Sequence, residues 1–128
     1  MAAPNRRALA QRILQGVLAL VLVAAGIANL TGATTAQITG LGYPEYLTLI
    51  LGVAYLIGVV CLYQTKYPFL QEWAFAGVAV SLVGAAASHL FAGDPLVRAA
   101  PAFVFQGVLV AAYALRAAPE STSTEAMT

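Results

Sequence analysis

Residues 72–95 read EWAFAGVAVSLVGAAASHLFAGDP, and this stretch decides what kind of molecule the chain is. A run of small and branched apolar residues lies between an acid, Glu72, and the only histidine, His89. No charge interrupts it, so the segment reads as a helix made for hydrocarbon rather than water. Gly93-Asp94-Pro95 follows, with glycine and proline in the order expected past a helix C-terminus. At about 1.5 Å per residue Glu72 and His89 stand roughly 25 Å apart, so they mark two separate ends and do not form one dyad.

Composition extends that reading to the whole chain. The 128 residues are 61% hydrophobic and 9% charged, with mean hydropathy +0.84. A soluble domain carries about 25% charged residues, so water would face an almost wholly apolar surface here. The protein is therefore expected to be integral to a lipid membrane. Net charge of +1 with no basic patch excludes nucleic acid as a partner. Cys61 is the single cysteine, which rules out an intramolecular disulfide and a C-x-x-C redox pair. It reads as an apolar helix residue, with a reactive thiol as the alternative. One histidine and one cysteine at opposite depths do not make a metal or haem ligand set, so no metal is expected.

Outward from residues 72–95, the polarity pattern predicts an all-α integral membrane bundle of four transmembrane helices. Residues 1–12 form a basic cytoplasmic N-terminus carrying Arg6, Arg7 and Arg12. The transmembrane domain covers 13–115, with spans at about 13–30, 46–63, 70–90 and 99–115. The first run is long for the apolar core of a cleaved leader, and further spans follow it. Between Leu30 and Tyr46 lies a stretch with three glycines and four threonines, expected to fold as a loop over the helix ends. Tyr43-Pro44 supplies a stop and restart. Gln64 to Pro68 is too short for anything but an antiparallel connection. Residues 116–128 are expected to be a disordered cytoplasmic tail. Arg6, Arg7, Arg12, Lys66 and Arg116 fall on the terminal side and Arg98 on the other, so both termini are expected in the cytoplasm.

The polar residues define two candidate regions. At the outer end, His89 reads as a proton donor or acceptor, or as a hydrogen-bond partner for a lipophilic ligand such as a quinone; an interfacial imidazole satisfied by water is the alternative. By depth its neighbours are Asn29, Ser88 and Gln106, with Glu45, Asp94 and Arg98 in the outer loops. These are the candidate ligand-binding residues. At the inner end Glu72 suits a helix N-terminus, with Lys66 as its nearest partner in sequence; a proton-handling carboxylate is the other reading. Gly77, Ser81, Gly84 and Ser88 recur at steps of four, three and four. Such a stripe lets helix backbones pack closely, or holds a narrow groove open for a flat or linear ligand.

Gly42 to Val60 (GYPEYLTLILGVAYLIGVV) and Lys66 to Pro95 resemble the DoxX-like family of small four-helix membrane proteins. The strongest parts are Gly42-Tyr43-Pro44, Glu72-Trp73-Ala74-Phe75-Ala76-Gly77 and Ser88-His89 with Gly93-Asp94-Pro95. Where members usually carry lysine in a Gly-x-x-Lys-Leu ending the first helix, this chain has Gly26-Ile27-Ala28-Asn29-Leu30, which removes a charge. The resemblance implies a bacterial inner membrane location and kinship with subunits of membrane redox systems, including thiosulfate:quinone oxidoreductase. It implies no catalytic residues, so His89 and Glu72 are chosen on chemistry and position. Three functions follow as expectations. The first is a subunit binding a lipophilic redox partner such as a quinone. The second is an enzyme using His89 or Glu72 for acid/base isomerisation, cyclisation or epoxide opening of a lipophilic molecule. The third is a structural or assembly factor without a ligand. Other membrane redox subunits and further copies of the chain are the expected protein partners.

Overall fold

The computed structural model describes residues 5–116. Its elements are α1 (Arg6–Leu30), α2 (Thr35–Gly40), α3 (Leu47–Tyr63), α4 (Pro68–Phe91) and α5 (Leu96–Met127, described to Arg116). No strand occurs among the described residues. The tail expected to be disordered lies outside them from residue 117 on.

Helix boundaries follow local chemistry. Asn5 caps α1, its Oδ1 accepting from the Arg7 and Ala8 amides at 3.1 and 3.3 Å. The helix thus starts earlier than the apolar run, and the basic segment from Arg6 is its first turns rather than a separate arm. Pro68 opens α4, where its missing amide costs nothing. Helices α1, α4 and the Leu96–Arg116 part of α5 are long and apolar enough to cross a membrane. With 17 residues, α3 is a shorter apolar helix, about 25 Å long at ~1.5 Å per residue.

The long helices pack as a ring in the order α1, α3, α4, α5, and α3 and α4 are the loosest neighbours. The core lies in the half nearest the chain termini, where Leu18 and Leu22 meet Leu62, Phe75, Val78, Leu109 and Ala112. Glutamines close that end. Gln15 and Gln71 both donate to Leu62 O, at 3.2 and 3.3 Å, and Gln71 also donates to Gln64 O at 2.8 Å. They satisfy carbonyls that the end of α3 leaves without an intrahelical partner.

Backbones meet closely at α1 and α3, not along the glycines of α4. A Cβ placed on Gly52 would fall 2.7 Å from Leu30 Cγ and 3.0 Å from Gly26 O. At Gly77 and Gly84 an added Cβ would meet nothing within 4 Å. The close-packing seam expected at Gly77, Ser81 and Gly84 is therefore corrected. That stripe borders open space, and Gly26 with Gly52 forms the contact. Gly52→Ala is expected to destabilise the protein by about 1–3 kcal/mol through overpacking. Gly77→Ala should leave stability unchanged or raise it by about 0.5–1 kcal/mol, the helical preference of alanine over glycine. Thermal unfolding of both variants in detergent, followed by circular dichroism, checks the contrast.

Candidate functional site

His89 sits in the last turn of α4, 8% exposed. Gly93, at φ +78°, takes the left-handed conformation that glycine adopts without strain. The chain folds back so that the Asp94 amide donates to His89 O at 3.0 Å. The same turn brings Asp94 Oδ2 to 2.8 Å from His89 Nδ1. With Nδ1–H donating to the carboxylate, Nε2 is left as an acceptor. It faces the Gln37 amide nitrogen at 3.5 Å, a long contact that leaves Nε2 available to a shorter partner.

Gln37 arrives on α2, a short helix where the sequence suggested only a loop. Its residues, TAQITG, have weak helix propensity, so tertiary contact rather than local preference forms it. The same segment supplies Thr34, whose hydroxyl donates to Asn29 Oδ1 at 2.9 Å. Asn29 is 5% exposed and donates in turn to Ala25 O at 2.7 Å. Beyond α2, Tyr43 reaches Ser88 Oγ at 2.6 Å, while Ser88 Oγ–H donates to Gly84 O at 2.7 Å. The serine proton is thereby committed, so the tyrosine hydroxyl is the donor of the shorter bond. About two helical turns further in, Tyr55 and Ser81 hydroxyls pair at 2.9 Å.

These groups surround a cavity of about 360 Å³ between α1, α2, α3 and α4. Its outer rim is polar, formed by Asn29, Thr34, Gln37, Tyr43, Ser88 and His89, and its floor is apolar, with Ala25, Leu47, Leu51 and Ala85. A preformed apolar cavity with a few convergent polar groups is the usual form of a small-molecule site.

The expected cluster divides. Asn29, Ser88 and His89 border this cavity together, as do Ser81 and Gly84. Asp94 stands behind His89 and, with Arg98 and Gln37, lines a smaller outer pocket of about 190 Å³. Glu45 borders a different pocket, with Thr48 and the far side of Asn29. Gln106, expected beside His89, is corrected. It opens on a separate cavity of about 220 Å³ with Phe103 and Leu82, and its Oε1 is buried without a hydrogen-bond partner among the described residues. Gln37, Thr34, Tyr43 and Tyr55 were not singled out from the sequence. Only Tyr43, in Gly42-Tyr43-Pro44, carried a signal.

Glu72 occupies the other end, and its expected pairing with Lys66 is also corrected. Arg116 donates to Glu72 Oε1 at 2.8 Å and to Gln71 Oε1 at 3.0 Å, and Tyr113 donates to Glu72 Oε2 at 2.8 Å. Both carboxylate oxygens are engaged, and the Arg116 guanidinium lies 5.6 Å from the Phe75 ring centre. Lys66 instead lies 5.4 Å from the Tyr67 ring centre. The Glu72 constellation is a tie between α4 and α5. Among the described residues no group of three or more His, Cys, Asp or Glu side chains could hold a metal ion.

A family model described as the DoxX-like family matches residues 13–115, from the start of the first apolar run to the end of the last. No curated protein and no solved structure matches the chain.

Proposed function

Because the chain belongs to the DoxX-like family, we propose that this membrane protein binds the polar head of a lipophilic redox partner, such as a quinone, below His89, as a subunit of a membrane redox system. The observation that carries the reading is the His89 imidazole held from behind by Asp94 and facing a cavity with a polar rim and an apolar floor. A lipid-facing site needs few polar partners, and here a quinol hydroxyl can donate to His89 Nε2 or to the Tyr43 oxygen, while a quinone carbonyl can accept from the Gln37 amide. In this reading α3 also crosses the bacterial inner membrane, which makes four spans. The excess of basic residues at the terminal end supports cytoplasmic termini in this reading. Titration of the purified protein and of its His89→Ala variant with the reduced ligand, a quinol, tests the assignment.

The same pair supports a second reading, acid/base catalysis on a lipophilic molecule. A carboxylate that holds an imidazole in one tautomer and aims its free nitrogen at a cavity is a general-base arrangement. Here Glu72, with both oxygens occupied, is not the catalytic group. This reading predicts turnover of a lipophilic epoxide without any electron acceptor, retained in Glu72→Gln and lost in His89→Ala. Product formation followed by gas chromatography decides it, and absence of turnover in the wild type removes it.

A further inference from the structure

The cavity below His89 abuts another at its floor. It shares Leu51, Tyr55 and Ser81 with a second cavity of about 480 Å³, which continues between α3 and α4 toward the Glu72 end. Past the Tyr55–Ser81 pair its walls are apolar, save for the Cys61 thiol and the Trp73 indole. Glycines keep it wide, since a Cβ on Gly58 or Gly77 would meet nothing within 4 Å. Ile57 and Trp73, on its two walls, are exposed at the edge of the bundle, so the groove opens sideways. Trp73 lies roughly 24 Å along α4 from His89 at ~1.5 Å per residue. The two cavities meet end to end at Leu51 and the Tyr55–Ser81 pair, and only the His89 end has a polar rim.

We propose that this second cavity is the tail subsite of the same ligand, which is therefore a single-headed amphiphile with a linear isoprenoid chain. Resting on the head-group assignment above, this inference names the shape of the molecule. The head lies under His89, the chain passes the Tyr55–Ser81 pair, and it runs past Gly77 between α3 and α4. Entry is lateral, from the hydrocarbon, because the open side of the groove faces the edge of the bundle and not the aqueous end. Leaving lipid for this groove gains the chain little solvation free energy, so shape decides occupancy. Blocking the groove therefore discriminates ligands by their tails.

Two quinones, each titrated in its reduced quinol form, test the inference, duroquinone with four ring methyls and no tail, and ubiquinone-4 with a tetraprenyl tail. Gly77→Leu, and independently Gly58→Leu, should weaken ubiquinone-4 binding about tenfold by steric exclusion while leaving duroquinone affinity unchanged. In the wild type, ubiquinone-4 should slow alkylation of Cys61 by N-ethylmaleimide, and duroquinone should not. Thermal unfolding of both variants checks that they fold. The tail subsite is overturned, with the head site intact, if both quinones bind and neither leucine variant separates them, the result expected if only a bilayer acyl chain fills the groove. Equal protection of Cys61 by both quinones overturns it too. Binding of neither quinone overturns the head site and the tail subsite together.

Discussion

His89→Ala is expected to lower quinol affinity by about tenfold or more, the largest effect of any single change at the outer end. The loss has two sources. One is the hydrogen bond that Nε2 accepts from a quinol hydroxyl of the bound head, worth about 0.5–1.5 kcal/mol net. The other is the Asp94 carboxylate, only 26% exposed, which loses its Nδ1–H partner and draws water or a new conformer into the rim of the cavity. Asp94→Asn should cost less, about threefold, because an amide still reaches Nδ1 but no longer selects the tautomer that leaves Nε2 free. Gln106→Ala should leave affinity unchanged, since that side chain opens on a separate cavity. Fluorescence or calorimetric titration of the purified proteins measures all three. The head-group assignment does not survive if His89→Ala binds as well as the wild type, or if Gln106→Ala is the more damaging change.

The contrast between His89 and Gln106 shows what was legible in the sequence and what was not. Depth in the membrane was legible. Apolar runs and charged joints set it, and Asn29, Ser88 and His89 do lie together at one end with Glu72 at the other. Azimuth around each helix was not. In water an apolar stripe shows which face turns inward, but lipid tails are as apolar as leucine and leave no such stripe. Gln106 matched His89 in depth and turned to another cavity. The same ambiguity attached to Gly77, Ser81 and Gly84, whose spacing is identical for a close backbone contact and for an open groove. Tyr55 and Tyr43, meeting Ser81 and Ser88 from across the groove, are what spread the helices, and their sequence separations of 26 and 45 residues put those contacts beyond local pattern reading. Gly93-Asp94-Pro95 was the opposite case, a turn readable from three residues and decisive for the imidazole. Helix α2 escaped notice because glycine and threonine mask a helix that depends on what it covers.

Long-range pairing also explains why Glu72 was matched to Lys66, a few residues away, when its partner Arg116 is 44 residues distant. That pairing sets the second large expectation. Glu72→Ala removes one oxygen from Arg116 and another from Tyr113, and it leaves the guanidinium of an Arg116 side chain only 18% exposed with the neutral Gln71 acceptor. Hydrogen bonds to charged groups contribute about 1.5–3 kcal/mol each, but the Glu72 side chain is 45% exposed. Screening reduces the sum, so a total loss of about 2–3 kcal/mol is expected. Arg116→Ala should cost less, because Glu72 keeps its Tyr113 bond and can turn toward water. The double variant should be less destabilised than the two single losses added together, the mark of a direct interaction. Thermal or denaturant unfolding in detergent measures the cycle. Quinone affinity of Glu72→Ala should stay at the wild-type value provided the protein remains folded, since the tie joins α4 to α5 while the groove lies between α3 and α4. Strict additivity in the cycle would remove the tie, and a selective loss of quinone binding would move Glu72 from a structural role to a functional one.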